Sequence, residues 1–246
     1  YRGYKNGERV RERVKFKPTL FVRGESDWKT LDNNPVKPMQ FESMRDATDF
    51  TKQFQHVPTV KTYGTTNYLH QFITDRFPED IGFNRDQIHV TTIDIEVASD
   101  EGFPEPDKAN YPVISICTKS SKESFYRVWG LGDFTPDENT IYVKCESELE
   151  LMDTFLKYWN GHGMPDVVTG WNIKGFDIPY LVNRTRKVLG EDYVKKWSIW
   201  GLVSSRTVRG NIGQKDIETY DLAGVAQLYY YDLFRKFTYN TLGQQE

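Results

Sequence analysis

The sequence predicts an α/β domain built on a mixed sheet, preceded by a small α+β domain. Three observations carry that prediction. Residues 87–97, 113–118 and 124–129 read as strands, rich in β-branched residues and close enough together to form an antiparallel meander. A helix, a short apolar strand and a second helix follow over residues 147–190, an alternation that adds parallel strands through a right-handed crossover. Upstream of residue 86 the pattern is different, with short strands, short helices and polar loops. The expected division is therefore 1–86 and 87–246.

In the first part, Asn6-Gly7 is a hairpin signal, and the alternation through residues 9–17 extends it, so residues 1–19 read as a hairpin. Val10, Val14 and Phe16 share one face with Glu12, while Arg9, Arg11, Arg13, Lys15 and Lys17 line the other. Such a face suits phosphates, but edge strands carry the same charge to resist aggregation, and the solvated face is the plainer reading. Residues 19–23 read as a strand, 24–38 as a polar loop, 43–54 as a helix starting at Ser43, and 67–76 as a second helix.

In the second part, residues 141–143 add a short segment. Ser147 caps a helix that ends at Gly161 and gathers Leu149, Met152, Phe155, Leu156 and Trp159 on one face. Residues 166–171 read as a buried strand and 172–176 as a turn. A helix follows Asp177, with Pro179 in its first turn and Ile178, Leu181, Val182, Val188 and Leu189 as its apolar stripe. Residues 203–209 and 216–220 predict a long hairpin with residues 210–213 at its tip and no obvious apolar face. Residues 222–237 read as a helix around Leu228, Tyr231 and Leu233.

Composition narrows the function. With 38% apolar and 27% charged residues the chain suits a soluble globular protein, and a net charge of −3 excludes a polycation. Any nucleic-acid contact must therefore come from local basic patches or bridging metal ions. Aromatics make up 15%, an excess that fills cores and also suits stacking on bases. Cys117 and Cys145 lack metal-ligand spacing and read as reduced core thiols of a cytosolic protein; His56, His70, His89 and His162 are scattered and read as structural. No apolar run reaches the roughly 18 residues of a membrane span, and no signal-peptide pattern is present. Tyr1 is not Met and the last residues stop abruptly, so the chain is expected to be a piece of something longer.

The chemistry centres on Thr91-Thr92-Ile93-Asp94-Ile95-Glu96-Val97. On a strand, Ile93, Ile95 and Val97 face one way and Thr92, Asp94 and Glu96 the other. Carboxylates at i and i+2 lie roughly 7 Å apart, which suits one shared divalent cation or a pair of them. A strand with one wet, acidic face is the alternative. Asp177, at a predicted helix N-terminus, reads by itself as a simple cap.

Together these residues form a pattern. Asp94-Ile95-Glu96, followed well downstream by Asn172-Ile173-Lys174-Gly175-Phe176-Asp177, resembles the first two exonuclease motifs of family B DNA polymerases. Val168-Thr169-Gly170-Trp171-Asn172 and Phe176-Asp177-Ile178-Pro179-Tyr180 look especially like the replicative polymerases of T-even-like phages. Gly7-Glu8-Arg9-Val10-Arg11-Glu12 and Met44-Arg45-Asp46-Ala47 look like parts of their N-terminal domain, and Gly102-Phe103-Pro104-Glu105-Pro106 resembles their loop after the first motif.

That resemblance implies a ribonuclease-H-like 3′–5′ exonuclease domain that proofreads by two-metal hydrolysis, behind a polymerase-type N-terminal domain. By the family pattern Asp94 bridges two Mg²⁺ or Mn²⁺ ions, Glu96 binds the one that activates water, and Asp177 supports the other. Phe103 stacks on the terminal base, while Asn172 and Phe176 shape the path of the strand. The hairpin at residues 206–218 is placed like the family's strand-separating hairpin, the alternative being a mobile surface loop. Implied partners are single-stranded or frayed primer-template DNA, the rest of the polymerase chain, and RNA through the N-terminal domain. No membrane is implied, and the location is host cytoplasm.

One departure qualifies the pattern. The family's third motif, Tyr-x-x-x-Asp, supplies a further ligand and is expected beyond Glu246. Tyr220-Asp221 and Tyr229-Tyr230-Tyr231-Asp232 are the nearest imitations, and neither is assigned. The fragment is thus expected to be weak or inactive and to transfer no nucleotides. Two alternatives stand beside this reading. A free-standing DEDD-type exonuclease would lack residues resembling 1–86, and a non-catalytic nucleic-acid-binding module would rely on the cationic hairpin.

Overall fold

The computed structural model describes residues 2–5, 8–100, 102–208 and 216–239. The chain divides into two compact units, Tyr1–Asn84 and Arg85–Glu246.

In the first unit, β1 (Arg2–Lys5) and β2 (Glu8–Arg11) pair antiparallel, with Arg2 opposite Arg11. Asn6 and Gly7 lie outside the described residues. The alternation expected to carry the strand to Lys17 stops at Arg11. The described pairing with β1 runs from Lys5 opposite Glu8 to Arg2 opposite Arg11. Next come β3 (Thr19–Arg23), β4 (Val36–Gln40), α1 (Met44–Phe54), β5 (Thr62–Tyr63) and α2 (Tyr68–Arg76). The sheet runs β4-β3-β5, antiparallel throughout. β4 falls where the sequence reads as a polar loop, because it is an edge strand in which Val36 is the one buried residue and Pro38 is tolerated. Both helices start as expected: the Asp46 N–H donates to Ser43 Oγ, and the His70 N–H to Asn67 Oδ1. Leu20, Ala47 and Tyr68 form the core of this unit.

The second unit holds β6 (Val90–Val97), β7 (Val113–Ser120), β8 (Tyr126–Leu131), β9 (Thr140–Cys145), α3 (Glu148–Asn160), β10 (Val167–Gly170), α4 (Asp177–Val188), α5 (Glu191–Val194), β11 (Val203–Val208), β12 (Ile217–Leu222), β13 (Ala226–Tyr229) and α6 (Tyr230–Phe234). Its sheet runs β13-β10-β6-β7-β8-β9. The expected meander β6-β7-β8 is antiparallel, while β10 and β13 lie parallel to β6 and β9 lies parallel to β8. The sheet is therefore mixed, as expected.

α3 and α4 bury Leu151, Met152, Phe155, Leu156, Trp159, Ile178, Tyr180, Leu181 and Val182 against the sheet side chains Ile93, Ile116, Trp129 and Val168. Trp159 and Trp197 lie 5.3 Å apart, ring to ring. A two-pronged ion pair ties the helices together: Arg184 Nη2 donates to Glu148 Oε2 at 2.6 Å and Arg184 Nε to Oε1 at 2.7 Å. Glu148 Oε1 also accepts from the Val113 N–H, and Arg184 Nη1 donates to the carbonyls of Ala109 and Asn110. Asn183 Nδ2 donates to the Pro106 carbonyl at 2.9 Å, so α4 grips the loop leading to β7 at several points.

β11 and β12 form the expected hairpin, with Val203 opposite Leu222; residues 209–215 at its tip lie outside the described residues. Its apolar face exists but is short, with Tyr220 and Leu222 buried. Residues 222–237 are not one helix. β13 pairs with β10 along its length, Gly170 opposite Tyr229, and helix begins only at Tyr230, as α6 continued by a π-helical stretch over Arg235–Tyr239. The helical reading holds for Tyr231 and Leu233 but fails at Leu228, because the β-favouring residues before Tyr230 are captured by a free sheet edge. His89 Nε2 is within 2.8 Å of Ser120 Oγ in the buried interior, a structural role as expected. Both cysteines are free thiols.

Candidate functional site

β6 alternates as its composition requires, with Thr91, Ile93 and Ile95 buried and Thr92, Asp94 and Glu96 turned outward on one face. Its neighbour β10 pairs only as far as Thr92 opposite Thr169, so Asp94 and Glu96 project beyond the end of that partner. The chain leaves β10 at Gly170. A Cβ there would lie 2.5 Å from the Ile93 carbonyl oxygen, so only glycine lets the two backbones approach this closely. Asn172 then turns the chain with φ 55°, a conformation asparagine tolerates, and its carbonyl accepts from the N–H groups of Gly175 and Phe176 at 2.9 Å.

This turn delivers Asp177 as the first residue of α4. Phe176 is the N-cap and makes no side-chain cap bond, so Asp177 is not the simple cap of the plainer reading. Its side chain is buried, at 3% exposure. Burial pushes its carboxyl from 3.8 up to about 7; the negative charge of Asp94 adds to the rise and that of Glu96 adds less. The N–H groups of Asp177 and Ile95 donate to the carboxyl and pull the other way. Burial and like charge outweigh these bonds.

Asp94, Glu96, Phe103, Asn172, Phe176 and Asp177 all line one cavity of about 840 Å³. All six residues singled out in the sequence are thus brought together. The Phe103 and Phe176 rings lie 4.9 Å apart, and Phe176 rests in turn on Tyr180 at 5.4 Å. Phe103 itself is 76% exposed, an aromatic face offered to whatever enters. The other lining residues include three aromatics that sequence reasoning did not assign: Trp171, Tyr229 and Tyr231. Trp171 follows directly from its neighbour Asn172. The two tyrosines become visible only once β13 is recognised as a strand beside β10.

The carboxylates share the cavity without closing on one point. Among the described residues no group of three or more His, Cys, Asp or Glu side chains is gathered tightly enough to hold a metal ion by itself. The donor chemistry nevertheless fits Mg²⁺ or Mn²⁺: all donors are hard oxygens, and Asp177 sits among negative charges that a cation would neutralise.

The sequence from residue 30 to residue 242 matches the model of the DNA polymerase family B exonuclease domain. The chain belongs to the family B DNA polymerases. Among relatives, the DNA-directed DNA polymerase of Enterobacteria phage T4 is 31% identical over 96% of this chain and 29% of its own length. That of Escherichia phage RB69 is 29% identical over 94% of this chain and 28% of its own. The DNA polymerase delta catalytic subunit of Mesocricetus auratus is 29% identical over 57% of this chain and 13% of its own. This family B chain therefore spans less than a third of the phage relatives it matches, and the likeness to T-even-like phage polymerases runs nearly end to end. The mixed six-stranded sheet with its helices is consistent with the ribonuclease-H-like exonuclease fold. Among the described residues no helix is long and apolar enough to cross a membrane.

Proposed function

We propose that residues 87–246 form the proofreading part of a phage-type DNA polymerase, a 3′–5′ exonuclease acting on single-stranded or frayed primer-template DNA, and that residues 1–86 are its N-terminal domain. The observation that carries this reading is the convergence of Asp94, Glu96 and Asp177 with the Phe103–Phe176 pair on one cavity. Mg²⁺ or Mn²⁺ ions held by these carboxylates, with Asp94 shared, Glu96 on the ion nearer the attacking water and Asp177 on the other, would supply the positive charge that two-metal phosphodiester hydrolysis needs.

The chain's own residues do the rest. Phe103 offers its exposed ring to the last base, a sequence-tolerant contact worth about 1–3 kcal/mol. Phe176 supports that ring from below, and Asn172 presents its side chain beside the carboxylates. Asp177, buried in the cavity lining, would be held ionised there by the positive charge of a bound cation, against the repulsion of Asp94.

The partial carboxylate set supports weak hydrolysis by this chain in isolation, and single-stranded DNA binding without cutting as the second reading. The partners proposed are DNA and the remainder of a polymerase chain, in the host cytoplasm where the phage relatives replicate. Those relatives are named for DNA synthesis, so the RNA contact expected for residues 1–86 is not carried forward.

The test is degradation of 3′-labelled single-stranded DNA in Mn²⁺ by a polymerase that contains this chain. Asp94→Ala is expected to slow it by about a hundredfold or more, the loss typical of removing a main charge-stabilising group. Undiminished cutting in Asp94→Ala sinks the proposal.

A further inference from the structure

By sequence the Tyr229-Tyr230-Tyr231-Asp232 run only imitates the Tyr-x-x-x-Asp motif, with Asp three residues after Tyr and not four. The structure gives its first residue a specific place. Tyr229 ends β13 directly opposite Gly170 of β10, which sets its side chain beside the turn that follows β10. Its hydroxyl donates to Asn172 Oδ1 at 2.7 Å. On the other side of that amide stands Gly175, where a Cβ would lie only 2.5 Å from the same Oδ1. The amide is therefore wedged between a hydroxyl and a glycine backbone, on a residue whose φ of 55° already restricts it. Among the described residues Asn172 Nδ2 has no hydrogen-bond partner, and Asn172 lines the cavity beside Asp94 and Asp177.

We infer that Tyr229 is a positioning residue: by occupying Oδ1 it fixes which end of the Asn172 carboxamide faces the cavity, leaving the Nδ2 hydrogens to donate to a phosphate or base oxygen of the bound strand. An asparagine amide turned over would offer an oxygen to the same phosphate and repel it. Burial pushes the Tyr229 hydroxyl up to about 12, so it stays protonated and remains a donor across the working pH range. The inference rests on the proposal that single-stranded DNA enters this cavity, and it adds the group that orients one of its contacts.

A double-mutant cycle on the whole chain tests it, reading the affinity for a fluorescein-labelled oligothymidylate by anisotropy in EDTA. Tyr229→Phe, which removes only the hydroxyl, is expected to weaken binding about fivefold, the worth of one neutral hydrogen bond. In the Asn172→Ala background the same change is expected to cost nothing measurable. A fivefold loss that persists in Asn172→Ala overturns the inference, since Tyr229 then acts without Asn172. So does unchanged binding in Tyr229→Phe when Asn172→Ala weakens it. Unchanged binding in Asn172→Ala overturns both this inference and the strand-binding reading beneath it. As a second readout that fold destabilisation does not mimic, the Asn172 side-chain amide resonances in a ¹⁵N correlation spectrum are expected to shift in Tyr229→Phe. Resonances left in place argue against the bond and overturn the inference.

Discussion

With metal removed, Asp177→Asn is expected to stabilise the second unit at neutral and alkaline pH. The magnitude follows from the site. Burial, Asp94 and Glu96 together lift the folded carboxyl from 3.8 to about 7. That is roughly three pKa units at about 1.4 kcal/mol each, so an upper limit near 4 kcal/mol. The sign is set by proton uptake. Between the two values the folded chain holds a proton that the unfolded chain has released, so stability falls as pH rises through that window and is flat on either side. Asparagine keeps the shape and the acceptor oxygen for the Ile95 N–H while removing the charge. The variant and the parent should therefore match in acid and diverge to the full difference above about pH 7. Urea unfolding in EDTA, followed by tryptophan fluorescence across a pH series, measures this. Five of the six tryptophans lie in the second unit, so the signal reports mainly that unit. Added Mg²⁺ or Mn²⁺ should stabilise the parent more than Asp177→Asn, which keeps only Asp94 and Glu96 as carboxylates in the cavity. A gain that does not vary with pH, or no gain at alkaline pH, refutes the reasoning.

Further outcomes follow from neighbouring features. Phe103→Ala should weaken oligothymidylate binding by about 1–3 kcal/mol in a titration and leave the melting temperature unchanged, because the ring is largely exposed. Glu148→Ala removes the partner of Arg184 and of the Val113 N–H in a half-buried ion pair, and should cost about 1–3 kcal/mol in urea unfolding. Gly170→Ala places a methyl group against the Ile93 carbonyl and the Ile173 side chain. It should lower stability by about 1–3 kcal/mol and reduce strand binding by shifting the Asn172 turn.

Legibility in the sequence tracked burial and period. The facing of β6 was readable because Ile93 and Ile95 alternate with Asp94 and Glu96, as a half-buried strand must, although the strand begins at Val90 and not at residue 87, which lies in a 3-10 turn. α3 was nearly as plain: its Ser147 cap and Gly161 stop agree and Met152, Phe155, Leu156 and Trp159 are buried as expected, but Leu149 is 57% exposed and Leu151 is buried in its place. β4 was hidden because an edge strand with a single buried side chain carries almost no apolar signal. β13 was hidden for a related reason: its side chains stand half exposed at the sheet margin, so its local spacing fitted a helix equally well. The carboxylates were found from their spacing and from resemblance. Tyr229 and Tyr231 were missed because their part in the cavity depends on a strand pairing that no local pattern announces.

The grip of α4 on the loop after β6 has a consequence for how the cavity treats what it receives. One end of the loop bearing Phe103 is continuous with the strand of Asp94 and Glu96; the other is held at Pro106, Ala109 and Asn110 by Asn183 and Arg184. The helix that opens with Asp177 is thus also the clamp on the aromatic ring. The same helix braces both the buried carboxyl and the far end of the loop that carries the aromatic ring, like the two jaws of a caliper. On the proposed reading, a strand terminus would meet a preset gauge rather than a yielding pocket, and a change at Arg184, outside the cavity lining, would reset that gauge.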